Sequence, residues 1–207
     1  MIRERAASFR VVVAERAKSA GTMMALGADS ILMGPTSELG PIDPQVLTYN
    51  SAGQPIWRPA QSYLDGLEQI RKSVAEEIKN TGNPQLNPTY YPLLSQLDPA
   101  LLDWCAKALN RAAEFAEKWL SRHMLKEQPD VAKQVAQRLV DARKYQSHGM
   151  VINWKDAEEL GLKIVRLKEE ELFWQKIWRL YLAYDVKCRG AQIAKLFEGR
   201  KVSVGAS

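Results

Sequence analysis

The sequence has little of what disulfide frameworks and metal sites are built from. Its 207 residues include two histidines and two cysteines, and the cysteines, Cys105 and Cys188, lie far apart without metal-ligand spacing. We therefore expect free thiols in a reducing, cytoplasmic compartment, and neither a metal nor another cofactor. No apolar run approaches the roughly 20 residues that cross a bilayer, so no membrane-spanning segment is predicted.

Composition and charge indicate a globular chain with an asymmetric C-terminal segment. Apolar residues make up 46% and charged residues 26%, which excludes a disordered chain. The net charge of +5 arises between Lys163 and Lys201, where ten basic residues stand against five acidic ones. Because no nucleic-acid-binding motif accompanies this surplus, we expect a docking tail and no nucleic-acid partner. We divide the chain into a domain at residues 1–165 and a helical tail at residues 166–207.

The N-terminal third of the chain predicts a βαβ unit. Residues 11–13 and 31–33 are short runs of β-branched or apolar residues, typical of buried strands. Between them, residues 20–28 are nearly all small or apolar, as in a helix that is buried on all sides. This order of elements favours an α/β fold with a layered architecture. Residues 34–59 are rich in glycine, proline and turn signals, and we predict an ordered loop there.

Downstream, the apolar spacing changes to that of long helices. The predicted elements are helices at residues 61–79, 101–120, 131–139 and 169–197, a linker at residues 80–99 and a small strand at residues 151–152. Asn153 and Asp156 are placed to cap a further helix, which Gly161 ends.

The last predicted helix carries a cluster of aromatic residues. Five of the seventeen aromatics of the chain lie within twelve residues: Phe173, Trp174, Trp178, Tyr181 and Tyr184. Such a stripe is typical of a core contact or an oligomer interface. Lysines and arginines interleave with it, which leaves a membrane-surface helix as a second interpretation.

One segment, Ala17-Lys18-Ser19-Ala20-Gly21-Thr22, carries a pattern with chemical meaning. A serine at the first turn of a buried helix points its hydroxyl where unpaired backbone N–H groups converge, which favours an alkoxide or a tetrahedral oxyanion. Ala20 and Gly21 leave the approach to Ser19 open, and the Ala20 N–H can donate one hydrogen bond to an oxyanion. The alternative is that Ser19 only caps the helix.

With the Glu38-Leu39-Gly40-Pro41-Ile42-Asp43-Pro44-Gln45 segment, this pattern resembles the serine dehydrogenase proteinase family. That family is a branch of the Clp-type and signal-peptide-peptidase-A-like serine proteases with the crotonase-like fold. The resemblance is close over residues 10–60 and extends to residues 145–165, which are similar to the family's closing strand and helix. It implies a Clp/crotonase-like fold of βαβ units with long C-terminal helices, and a homo-oligomer assembled through helical arms.

The resemblance also implies a peptidase mechanism and its residues. Ser19 is the expected nucleophile, which forms an acyl-enzyme with a peptide or protein substrate that water then hydrolyses. Ala20 and Gly21 are expected at the oxyanion site. The segment at residues 38–45, with Gly40 and Pro41, is expected to line the cleft.

The general base stays open between two residues. Signal-peptide-peptidase-A-type enzymes use a lysine about fifty residues after the serine, which indicates Lys72, since the adjacent Arg71 cannot release its proton. His148 lies close to where Clp-type enzymes place their third triad member, and an imidazole suits neutral pH. His123 is expected to be inert on the polar side of a long helix.

The chain departs from the family at its front. Family members reach the serine after an earlier βαβ unit, whose Gly-Gly turn supplies the second oxyanion N–H, and this sequence has no Gly-Gly pair. We therefore expect a domain truncated at its N-terminus, with an incomplete oxyanion hole. A catalytically inactive fragment or scaffold subunit of the same fold is the alternative, and a crotonase-type acyl-CoA enzyme using Glu38 and Asp43 is a third.

Overall fold

The computed structural model of the protein describes residues 4–141, Arg143 and residues 149–206. The strands are β1 (Arg10–Val13), β2 (Arg16–Ala17), β3 (Ser30–Met33), β4 (Glu38–Leu39), β5 (Gln45–Tyr49), β6 (Pro55–Pro59), β7 (Ile164–Arg166), β8 (Lys195–Glu198) and β9 (Ser203–Ala206). The helices are α1 (Ala20–Leu26), α2 (Ala60–Thr81), α3 (Tyr91–Leu94), α4 (Pro99–Arg122), α5 (Pro129–Val140), α6 (Trp154–Leu160) and α7 (Leu172–Gly190), with a short 3-10 helix at Pro88–Tyr90.

A small parallel sheet forms the centre of this mixed α/β fold. The strand order is β1-β3-β7, and both pairings are parallel. Because α1 connects β1 to β3, the predicted βαβ unit is present. The third strand, β7, was not predicted. At residues 151–152, where a small strand was expected, Ile152 forms only an isolated bridge with Leu39. The layered Clp/crotonase architecture and the N-terminal truncation stay predictions.

The segment at residues 34–59 is not the loop that the sequence predicted. Its first part forms β4, which pairs in parallel with β2, and its second part forms an antiparallel hairpin of β5 and β6. Val46 is buried on this hairpin, whereas Leu47, Tyr49 and Trp57 stay exposed. The hairpin therefore has one face on the protein and one face open.

Long helices cover the sheet and bury most of the core. Helix α4 packs against both α2 and α5, and its buried stripe runs from Cys105 to Leu120. The thiol of Cys105 is free, and burial raises its pKa. Helix α6 has the predicted capping box of Asn153 and Asp156, and it ends at Gly161, whose φ of 102° suits glycine.

The C-terminal segment differs from the helix predicted at residues 169–197. Helix α7 ends at Gly190, and a hairpin of β8 and β9 follows. Trp174 is buried against Leu32 and Leu167, so the aromatic stripe packs on the core along one face. The predicted boundary at residue 165 falls inside β7. The homo-oligomer, the membrane-surface contact and the tail domain stay predictions.

The position of Trp174 depends on Gly34 at the end of β3. A Cβ on Gly34 would lie 2.4 Å from the Trp174 ring, so this close approach requires glycine.

Further along α7, the Tyr181 hydroxyl donates a hydrogen bond to Glu15, which raises the pKa of Tyr181 to about 12 and lowers that of the Glu15 carboxyl. Within the described ranges, no helix combines the length and apolar character that crossing a bilayer requires.

Candidate active site

Ser19 lies at the turn between β2 and α1 in an unusual backbone conformation. Its φ is 47° and its ψ is −108°, in a region that L-residues other than glycine rarely adopt. As the residue before the first turn of α1, it is placed to cap the helix, but its side chain makes no capping hydrogen bond. Strained residues of this kind concentrate at functional sites, and a sharp strand-to-helix turn is how several hydrolases expose a nucleophilic serine.

The two motifs that carried the resemblance are joined by the buried hydroxyl of Thr22. Its Oγ1 accepts a hydrogen bond from the Gly40 N–H at 3.1 Å, and lies 2.8 Å from the Gly40 carbonyl and 2.6 Å from the Ala17 carbonyl as possible acceptors. One turn after Ser19, α1 is thus fixed to the loop that follows β4. The pairing of β2 with β4 holds the same two segments together on the other side of Ser19.

Lys18, the residue before Ser19, ties two other segments to this site. Its ammonium forms an ion pair with Glu38 at 3.2 Å and donates to the carbonyls of Leu39 and Met150, both at 3.0 Å. The stem of Lys18 runs over Gly40, where a Cβ would lie 2.5 Å from the lysine Cδ. Lys18 therefore holds two segments beside Ser19: residues 38–45, here called the cleft loop, and the segment that begins at Gly149. The sequence did not predict this structural role.

An open cavity of about 1020 Å³ lies beside Ser19. Ser19 and Met23 form one side, and residues 42–45 with Trp57 and Pro59 of the hairpin form the second. The third side is a face of α4, comprising Trp104, Ala108, Arg111, Ala112 and Phe115. The cavity is large enough for a peptide side chain and its flanking backbone.

The predicted oxyanion and cleft residues lie close to Ser19, but they differ in whether their N–H groups are free and whether they line the cavity. The Gly21 N–H donates to the Lys18 carbonyl at 2.7 Å, so it is already engaged. No acceptor among the described residues takes the Ala20 N–H, which leaves it available at the start of α1. Gly40 and Pro41 are buried and do not line the cavity, whereas the next four residues, 42–45, do.

The two predicted bases have different positions relative to this cavity. Lys72 lies on α2 with a 71% exposed side chain, forms an ion pair with Glu68 at 3.7 Å, and borders a separate depression with Arg143. The structure therefore does not bring Lys72 together with Ser19. His148 lies outside the described residues, but its chain neighbour Gly149 is described, and the Gly149 carbonyl is 3.5 Å from the Lys18 ammonium.

One side of the cavity, the α4 face, was missed in the sequence. The α4 face has the spacing of an ordinary amphipathic helix, and nothing in it signals that Trp104, Arg111 and Phe115 face a cavity. Asp43 lies in the segment that the resemblance placed at the cleft; the residue is 2% exposed, and its carboxylate accepts a hydrogen bond from the Gln45 side chain at 2.5 Å. The described residues contain no cluster that could hold a metal ion.

Comparison with known proteins agrees with a serine hydrolase, the class of protein that Ser19 and its turn indicate. Residues 1–76 match the model of the family described as ClpP-like SDH-type serine proteinase, which confirms the resemblance recognised from the two motifs. The matched residues include Ser19, Thr22 and the whole cleft loop.

Two relatives share more of the chain. MJ0137 of Methanocaldococcus jannaschii, an uncharacterized protein, is 29% identical over 167 residues, which are 81% of this chain and 47% of the relative. MJ1495 of the same organism, also uncharacterized, is 24% identical over 163 residues, which are 79% of this chain and 44% of the relative. The chain thus spans less than half the length of these curated relatives. No solved structure matches it.

Proposed function

We propose that the protein is a serine peptidase that hydrolyses peptide bonds through an acyl-enzyme on Ser19. The observation that carries this proposal is the geometry of Ser19: a positive φ at a strand-to-helix turn, a hydroxyl that caps no helix, and a position on the wall of a large cavity. The match of residues 1–76 to a serine proteinase family supports it.

The proposed reaction has two halves. The Ser19 oxygen attacks the carbonyl carbon of the scissile peptide while a base takes the hydroxyl proton, and the resulting oxyanion accepts a hydrogen bond from the Ala20 N–H. The C–N bond then breaks, and the departing amine takes the proton from the base. In the second half, water attacks the ester carbonyl carbon while the base takes a proton from it. The bond between the acyl carbon and the Ser19 oxygen then breaks, the base returns the proton to that oxygen, and the carboxylic acid is released.

For the base, we favour His148 over Lys72. The exposed, ion-paired position of Lys72 in another depression gives it no route to the Ser19 proton. The residues that follow His148 are held beside Lys18, the chain neighbour of Ser19. We expect His148→Ala to remove most activity, and Lys72→Ala to leave activity within about twofold of wild type, as for an ordinary exposed residue.

Labelling with a fluorophosphonate probe, followed by intact mass measurement, tests the nucleophile. We expect one adduct on the wild-type protein and none on Ser19→Ala, with Ser37→Ala as a matched control that keeps the adduct if it folds. An adduct that persists in Ser19→Ala would refute the assignment.

A non-catalytic subunit of the same fold is the second candidate. The observation that favours it is that, within the described part of the chain, neither a histidine nor a lysine lines the Ser19 cavity. A folded wild-type protein that takes up no probe and cleaves no peptide library would support this candidate against the peptidase.

A further inference from the structure

The cavity beside Ser19 has aromatic walls that remain largely uncovered. Trp57, Trp104 and Phe115 are between 41% and 63% exposed, although each contributes to the lining. On α4, the small residues Ala108 and Ala112 lie between Trp104 and Phe115, and they leave room for a ring. A planar apolar side chain bound here would cover surface that the folded chain leaves exposed to water.

The same wall carries a cation, the guanidinium of Arg111 on α4. Arg111 is exposed, and its Nε donates to the Lys107 carbonyl at 3.3 Å. Among the residues that the structure describes, no carboxylate forms an ion pair with it. The other charged lining residue, Asp43, is buried and bonded to Gln45. The guanidinium is therefore available to an anionic group of a ligand, and its paired N–H donors match the two oxygens of a carboxylate.

From this arrangement we infer that the cavity selects peptides in which an aromatic side chain lies next to a carboxylate, and that Arg111 is the residue that determines this specificity. Arg111 precedes Phe115 by one helical turn, which is about 6 Å along the axis. That separation suits a ring and a carboxylate carried by one residue or by two neighbours. The inference rests on the proposed function, since it names the substrates of the same site.

Binding of three small ligands tests it without requiring turnover. The ligands are N-acetyl-phenylalanine, its amide, and N-acetyl-aspartyl-phenylalanine amide, titrated into the protein by isothermal titration calorimetry. The first carries a terminal carboxylate and the third an acidic side chain, so they distinguish the two sources of the charge. Arg111→Gln removes the cation, and Arg122→Gln makes the same change on α4 outside the cavity.

For the wild-type protein and Arg122→Gln, we expect one or both acidic ligands to bind about 3- to 10-fold more tightly than the neutral amide, as for a partly exposed ion pair. In Arg111→Gln that preference should disappear, whereas Arg111→Lys should keep part of it. Equal binding of all three ligands to the wild type, or a preference that survives in Arg111→Gln, would overturn the inference.

Failure of the proposed specificity can be distinguished from failure of the proposed peptidase function. If the fluorophosphonate labels Ser19 but the acidic ligands show no advantage, the peptidase stands and the specificity is wrong. If the advantage depends on Arg111 while Ser19 stays unlabelled, the cavity recognises these ligands without the proposed chemistry.

Discussion

Replacing Ser19 by glycine should stabilise the fold while it removes the proposed nucleophile. Ser19 holds a φ of 47° with a ψ of −108°, a combination that is open to glycine but strained for residues with a Cβ. The serine hydroxyl makes no capping hydrogen bond whose loss would offset the gain. The strain is thus a cost of placing a side chain at this point of the turn.

The size of the effect follows from two opposing contributions. Relief of backbone strain of this kind is worth about 1–3 kcal/mol. Glycine gives back about 0.5–1 kcal/mol, because it gains more freedom than serine in the unfolded chain. The net gain is about 1 kcal/mol, which for a chain of this size raises the melting temperature by about 2–4 °C.

Urea unfolding of the wild type, Ser19→Gly and Ser19→Ala measures this difference. Alanine keeps the Cβ and therefore the strain, so Ser19→Ala should stay within about 0.5 kcal/mol of the wild type. A Ser19→Gly variant that is less stable than Ser19→Ala would show that the backbone at residue 19 is not strained, and would remove the main observation behind the nucleophile.

Three further predictions concern the contacts around this turn and the C-terminal helix. Thr22→Val should lower the unfolding free energy by about 2–3 kcal/mol more than Thr22→Ser, since valine leaves buried backbone groups of the cleft loop unpaired; equal stability of the two variants in urea would contradict the bridging role. Gly34→Ala should cost about 1–3 kcal/mol and raise the fluorescence quenching of Trp174 by acrylamide, because the new Cβ displaces the ring; unchanged quenching and stability would contradict it. Tyr181→Phe should cost about 1 kcal/mol at pH 7, where Glu15 is ionised and the phenol is neutral. That cost should vanish as the pH falls through the lowered pKa of Glu15, below its ordinary 4.5, and should shrink as the pH rises from 10 towards about 12, the raised pKa of Tyr181; a cost independent of pH in unfolding measurements would refute the pairing.

Local patterns predicted the first elements of the chain. Strands β1 and β3 and helix α1 coincide with short apolar runs, so their order was readable from residues 10–33. The expectation that α1 is buried on all sides was wrong, since Met24 is 72% exposed. The cap of α6 was equally local, because Asn153 and Asp156 satisfy backbone groups within one turn. The position of Ser19 at the start of α1 followed from the same runs.

Elements that depend on distant partners escaped prediction. Strand β7 is short and half-exposed, and only its pairing with β3 makes it a strand. The β5–β6 hairpin contains Pro55 and Pro59, which argue against a strand in sequence but are tolerated because β6 has a free edge. The aromatic wall of the cavity was unreadable for a related reason: the α4 spacing is the same whether the helix faces a cavity or solvent.

The late position of β7 in the chain has a consequence for how the protein folds. The central strand, β3, gains its second neighbour only when residue 164 pairs with Ile31, across 133 positions of sequence. Until then one edge of β3 offers unpaired backbone groups beside the apolar residues Leu32 and Met33, a surface on which other chains can add strands. We therefore expect refolding to be slow for a helix-rich protein and to lose yield steeply with protein concentration, since closure across so long a separation competes with association.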